Sequence, residues 1–173
     1  MFIKRFPVLI LVILLLQTIN LSAKTAYINI ENLIKNSKAG NYINSEIKKI
    51  QKKQNVEFKN KEDEFKKKEI DILAKKNILD KEAYNKEVSS FQKDIKTYNQ
   101  YKNKKINELK KKNFDSVGLL MKNISPIITD YASKNNISIL LDKKNIIIGA
   151  NNLDITKDIL ILLNEKIDKI DIK

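Results

Sequence analysis

The sequence predicts a mainly α protein with a small β body, in which a long antiparallel helical hairpin projects as an arm from an oligomeric, β-barrel-like body. Three observations carry this. From Asn41 to Ser125 the chain has no proline and a single glycine, Gly118. Over that stretch apolar residues recur at helical spacing. Both flanks hold short β-branched runs that read as strands.

The first 23 residues stand apart. Lys4 and Arg5 precede an apolar run from Val8 to Leu16, after which Gln17 to Ser22 is more polar and Ala23 offers a cut site, although Leu21 upstream is not the usual small residue. That order describes a secretory signal peptide over 1–23. The apolar run is well short of the roughly 20 residues a bilayer span needs, so a cleaved and exported chain beginning at Lys24 is expected rather than a retained anchor.

Composition then excludes whole classes of chemistry. The chain has no Cys and no His. Disulfides, thiolate or histidine metal sites, hydrolase triads and histidine pH switches are therefore all out of reach. No Gly-rich phosphate loop is present, so neither a cofactor nor nucleotide energy is expected. Arg5 is the only arginine. Its loss with the signal peptide argues against a nucleic-acid binder, because bidentate contacts to phosphate and guanine are arginine chemistry.

The charge is unevenly placed. Residues 44–113 hold 21 Lys against 12 acidic residues, a net of +9, while the rest of the exported chain holds 11 Lys against 9 acidic residues, a net of +2. The arm carries the charge and the body is close to neutral.

Within the arm the first helix is weakly apolar. Ile43, Ile47, Ile50, Phe58, Phe65, Ile72 and Leu73 mark its seam, with Gln54 and Lys61 interrupting it. After Lys75-Lys76-Asn77, Asp80 is a good N-cap and Glu82 suits the positive end of a new helix dipole. This places a tip near 76–80, against the alternative of one continuous helix. The second helix has Tyr84, Val88, Phe91, Ile95 and Tyr98 in heptad spacing. The seam lapses at Lys102 and Lys105, picks up Ile106 and Leu109, and resumes as Phe114, Val117, Met121, Ile124, Ile128 and Tyr131.

Folding the chain back at this tip puts Ile50 opposite roughly Asn107. Lys48, Lys49, Lys52 and Lys53 then come level with Lys102, Lys104, Lys105, Lys110, Lys111 and Lys112, a basic belt at the root of an arm about 40 Å long at 1.5 Å per residue. Such a belt would attract acidic polymers or anionic membrane and lipopolysaccharide surfaces, less so in salt. The plainer alternative is a solvated helix face.

The body comes from the two ends, 24–43 and 114–173. Ala26–Ile30 alternates like a strand, with Ile28 and Ile30 on one face, and Glu31 to Ser37 begins a short helix. Ile137–Asp142 and Asn145–Gly149 read as two further strands joined by Lys143-Lys144. Pro126 either starts a helical turn or kinks the long helix. Ile159, Leu160, Leu162, Leu163 and Ile167 make a last amphipathic helix that Thr156 or Asp154 can cap. Ile28, Ile30, Ile139, Leu141, Ile146 and Ile148 are assigned to body packing. So few strands leave open edges, which predicts a homo-oligomer with a shared body.

These residues carry a family resemblance. The export signal, the strand Ala26-Tyr27-Ile28-Asn29, the Lys-rich hairpin with its Ile78-Leu79-Asp80-Lys81-Glu82-Ala83 tip, the Ile124-x-Pro126-Ile127-Ile128 block, Ile139-x-Leu141-Asp142 and the closing Leu153-Asp154-Ile155-Thr156 are together similar to the Skp/OmpH family of periplasmic chaperones. Asn136 stands where a glycine is common. The resemblance implies a jellyfish-shaped homotrimer in the periplasm, not an enzyme. It would be an ATP-independent holdase whose arms enclose unfolded outer-membrane proteins. On that view the belt lysines, with Phe58, Phe65 and Tyr101, would touch the client, although the two phenylalanines could equally form the hairpin core. A structural or adaptor coiled coil of the envelope and, behind it, a basic nucleic-acid binder are the other classes open.

Overall fold

The computed structural model describes residues 23–172, so the segment expected to be a signal peptide lies outside the described residues apart from Ala23. Strand β1 (Lys24–Ile28) leads into a short helix α1 (Ile30–Asn36). The long helix α2 (Lys38–Ala74) follows, then a 3-10 turn over Lys75–Asn77, and the longer helix α3 (Lys81–Lys134) returns. Strand β2 (Ile137–Asp142), 3-10 turns at Lys143–Asn145 and Asn151–Leu153, and helix α4 (Thr156–Lys166) complete the chain.

The tip forms where its capping chemistry places it. The Asp80 carboxylate accepts the Ala83 amide at 2.8 Å, and Glu82 stands in the first turn of α3. At 1.5 Å per residue α2 and α3 extend about 55 and 80 Å, so α3 outruns its partner and runs on into the body. Pro126 neither starts nor ends a helix. It lies inside α3 on an exposed face, where its ring nitrogen supplies no amide hydrogen to the Lys122 carbonyl.

The body core is one cluster drawn from both chain ends. Ala26, Ile28, Leu33, Ala39 and Ile43 pack against Leu120, Ile124, Ile127, Ile155, Ile159 and Leu163. Strands β1 and β2 are parallel neighbours, with Tyr27 level with Leu141. Parallel pairing needs a long crossover, and here the entire hairpin serves as that crossover. On the far side of β1 the Ile155 amide donates to the Tyr27 carbonyl at 3.0 Å. Asp154 organises the start of α4, accepting from the Thr156 amide at 3.0 Å and from its hydroxyl.

Two strand expectations are corrected. Strand β1 stops at Ile28, because Asn29 caps α1 by accepting the Asn32 amide at 2.8 Å, so Ile30 begins a helix instead of continuing the alternation. The third strand over Asn145–Gly149 is not formed. Asp142 accepts the Lys144 amide at 3.1 Å and turns the chain into a 3-10 turn, away from the edge of β2. Ile147 and Ile148 are consequently 99% and 90% exposed.

The turn after α3 tests a backbone detail. Asn136 has φ 55°, the left-handed region that glycine enters without strain. Asn136→Gly is expected to raise stability by about 0.5 kcal/mol, strain relief outweighing the added freedom of the unfolded chain. A urea midpoint that falls instead would show that the Asn136 side chain contributes more than the strain costs.

Candidate functional site

The arm is held together by a polar and aromatic ladder across its seam. Phe65 meets Phe91 and Tyr98 edge-on at 6.0 and 5.3 Å between ring centres, and Phe58 meets Tyr98 at 6.4 Å. The Tyr98 hydroxyl lies 3.1 Å from the Phe58 carbonyl and 3.2 Å from a Glu62 carboxylate oxygen. Glu62 in turn pairs with Lys102 at 2.6 Å, Lys68 pairs with Asp94 at 2.7 Å, and Lys75 bridges Asp71 and Glu87 at 2.9 and 3.4 Å. These contacts set the register of the hairpin. The Gln54 side-chain amide reaches the Lys105 carbonyl at 3.5 Å, so Ile50 is level with about Leu109, slightly beyond the Asn107 expected from symmetry about the tip.

Phe58 and Phe65 thus lie in the seam, Phe58 buried and Phe65 half-buried. Tyr101 is exposed at its edge, its hydroxyl donating to Glu57 at 2.6 Å.

The basic belt divides into two sets. Lys102 is drawn inward, over the Phe58 ring at 5.4 Å and onto Glu62, and Lys105 lies over the Tyr101 ring at 5.6 Å. Lys49 pairs with Glu46, Lys104 and Lys105 approach Glu108, and Lys111 pairs with Asp115, all on their own helices. Lys48, Lys52, Lys53, Lys110 and Lys112 have no carboxylate within ion-pair distance among the described residues. Of these only Lys112 is half-buried. Within the belt, the cations free to meet a ligand are therefore these five, on both helices at the arm's root.

The sequence from Lys24 to Leu163 matches the family model of OmpH-like outer membrane proteins. The chain belongs to the OmpH-like family. Its fold is similar to a crystal structure of a candidate OmpH-like outer membrane chaperone from Caulobacter crescentus, with a TM-score of 0.78 and 15% identity over 85% of this chain and 87% of that one. No curated protein matches the chain.

In this OmpH-like chain the assigned body residues have different fates. Ile28 is in the core and Ile30 packs on it, whereas Ile139, Leu141 and Ile148 are exposed and Ile146 is half-buried. Two residues counted into the seam instead face outward: Phe114, at the start of the body, is 78% exposed, and Leu73 on the arm is exposed as well. Ile78, 80% exposed, Val56 and Ile70 add further apolar surface to the arm. One signal was available, because Ile72 and Leu73 are adjacent, about 100° apart on a helix, and cannot share one seam. Ile72 takes it, leaving Leu73 outside. Among the described residues no cluster of three or more metal-ligating side chains is present, and no helix is long and apolar enough to cross a membrane.

The ladder makes the OmpH-like arm pH-sensitive at both extremes. The Lys102 ammonium holds the Glu62 carboxyl below its usual range, and Lys68 does the same to Asp94. Burial, and then the Glu62 carboxylate, pushes the Tyr98 hydroxyl up to about 12. The depressed carboxyls contribute stability that is complete above their unfolded values near ~4 and is lost as pH falls through their folded values. Tyr98 contributes stability that is complete below its unfolded value near ~10 and is lost as pH rises through its folded one. Helical circular dichroism should therefore melt at lower temperature below about pH 4 and above about pH 10 than at neutrality. Glu62→Gln should reduce the acid-side loss, and an unchanged acid limb in that variant would exclude the Glu62–Lys102 pair as its source.

Proposed function

We propose that this protein is an ATP-independent holdase chaperone of the periplasm, which holds unfolded outer-membrane proteins between basic arms and keeps them from aggregating in transit. The observation that carries the reading is the arm of this OmpH-like chain, a hairpin of net charge +9 with five unpaired lysines gathered at its root. An unfolded barrel protein exposes apolar strands, and one with net negative charge would be drawn in by long-range attraction. Exposed Val56, Ile70, Leu73, Ile78 and Phe114 then offer modest apolar contacts that hold without trapping. Release follows when the client folds into the membrane.

The reading includes a homotrimer in which residues 24–43 and 114–173 form a shared body and residues 44–113 form each arm. A lone two-stranded sheet with Ile139 and Leu141 exposed on β2, beside the bare Ile147 and Ile148, supports association through this region. A monomeric mass by light scattering at micromolar concentration would remove the shared body.

The testing experiment dilutes a urea-unfolded outer-membrane barrel into buffer with and without the mature protein, across salt. Light scattering by the client should be suppressed, and suppression should weaken between about 0.05 and 0.5 M salt. No suppression, together with tight capture of one folded envelope protein, would favour the adaptor coiled coil.

A further inference from the structure

The lapse in the heptad seam leaves an opening. Between Phe58 and Ile47 the first helix offers Gln51 and Gln54 where an apolar pair would otherwise close the gap, and the second helix offers Lys102 and Lys105, whose side chains turn to Glu62 and to the Tyr101 ring. A cleft of about 500 Å³ results, lying between the helices on one face of the arm. Ile47, Ile106 and Leu109 line it together with the carboxamide residues Gln51, Gln54, Asn55 and Asn113. That volume is in the range of ligand-sized clefts.

We propose that this cleft seats the main chain of an extended, unfolded polypeptide segment, with one aliphatic side chain on its apolar lining. The inference rests on the holdase reading and names what the arm grips. Its rim decides the occupant. Lysines can only donate, so they recognise carbonyls and carboxylates, whereas a carboxamide both donates and accepts and therefore matches a peptide group. Four carboxamides, Gln51, Gln54, Asn55 and Asn113, stand around the cleft, and that of Gln54 is committed only to a marginal contact at 3.5 Å. The charged pair at one end, Lys102 and Glu62, is closed on itself at 2.6 Å and makes no ionic demand of its own. Lys59 and Lys110 at the edge would favour segments rich in acidic residues. Gln51 to Phe58 spans about 10 Å of helix, the length of about three extended residues. Main-chain recognition is also indifferent to sequence, which suits a protein that must accept many clients.

The test uses the full mature chain, labelled at Ile and Leu methyls and at side-chain amides, and reads chemical shifts. The probe is the uncharged peptide acetyl-Ser-Val-Ser-Val-Ser-amide, compared with an analogue N-methylated at alternate residues. The first should move the methyls of Ile47, Ile106 and Leu109 and the side-chain amides of Gln51 and Gln54. The second should bind about tenfold more weakly or worse, having lost main-chain donors. Gln54→Leu completes the seam and fills the cleft, so it should melt higher and bind the peptide about tenfold more weakly. Asn113→Ala, at the exposed edge, should weaken binding in the same direction without touching the seam.

Equal binding of the two peptides, or full binding by Gln54→Leu, overturns the proposal. So does displacement of these same signals by dodecyl phosphate but not by peptide, which would make the cleft a lipid site. A chain that binds the peptide here yet fails to suppress aggregation overturns the holdase reading instead, and leaves the cleft as a main-chain site.

Discussion

Gly40→Ala is expected to cost the body at least about 3 kcal/mol, enough to lower its melting temperature by about 10 °C. A Cβ at this position would lie 1.6 Å from the Ile34 carbonyl oxygen and 2.8 Å from its carbon. Both atoms are backbone and cannot rotate aside. They belong to α1, which is pinned by the fully buried Leu33 and joined to α2 through the single extended residue Ser37. The Ser37 hydroxyl accepts the Gly40 amide at 3.1 Å, and the Asn164 side chain accepts the Lys38 amide at 2.8 Å, so moving α2 outward would break both caps. Gly118→Ala is the matched control. Nothing lies within 4 Å of a Cβ there, and the residue is exposed inside α3, so stability should rise by about 0.5 to 1 kcal/mol. Thermal melts that move the same way in both variants would remove the steric account of Gly40.

Converting Lys48, Lys52, Lys53, Lys110 and Lys112 to Gln should weaken capture of an acidic unfolded client by about tenfold or more and flatten its dependence on salt. The arm then falls from +9 to +4, five cations lost, and no observed ion pair is broken. The control removes five lysines elsewhere, Lys35, Lys122, Lys134, Lys157 and Lys166, all exposed and without an ion pair among the described residues. Overall charge changes equally in the two variants, but only the first empties the root. A client affinity that drops equally in both assigns capture to bulk charge. A drop confined to the first assigns it to the root, provided helical circular dichroism is unchanged.

How far each feature was legible depends on how local its cause is. The hairpin tip was readable because Asp80 and Glu82 act on amides within their own turn, and the seam of α3 was readable from Tyr84 to Tyr98 because one heptad pattern sufficed. Strand Asn145–Gly149 misled for the same reason. Its Ile-rich composition favours a strand, yet a strand exists only beside a partner edge, and Asp142 steers the chain off that edge. The belt was legible as a count of lysines and not as a site. Which five stay free depends on where Glu62, Glu108 and Asp115 fall around each helix and across the seam.

Residue identity and short-range spacing suffice for the helical arm, its tip, its excess of positive charge and the absence of thiol and imidazole chemistry. That Phe58 and Phe65 face inward, that Lys102 is consumed by Glu62, that the lapse at Gln54 and Lys105 is an open cleft, and that Gly40 must lack a side chain emerges only in the folded chain. Each of these depends on two segments far apart in the chain meeting at van der Waals or hydrogen-bonding distance, where shifting one helix by a single residue turns each side chain by about 100° and would change the partners.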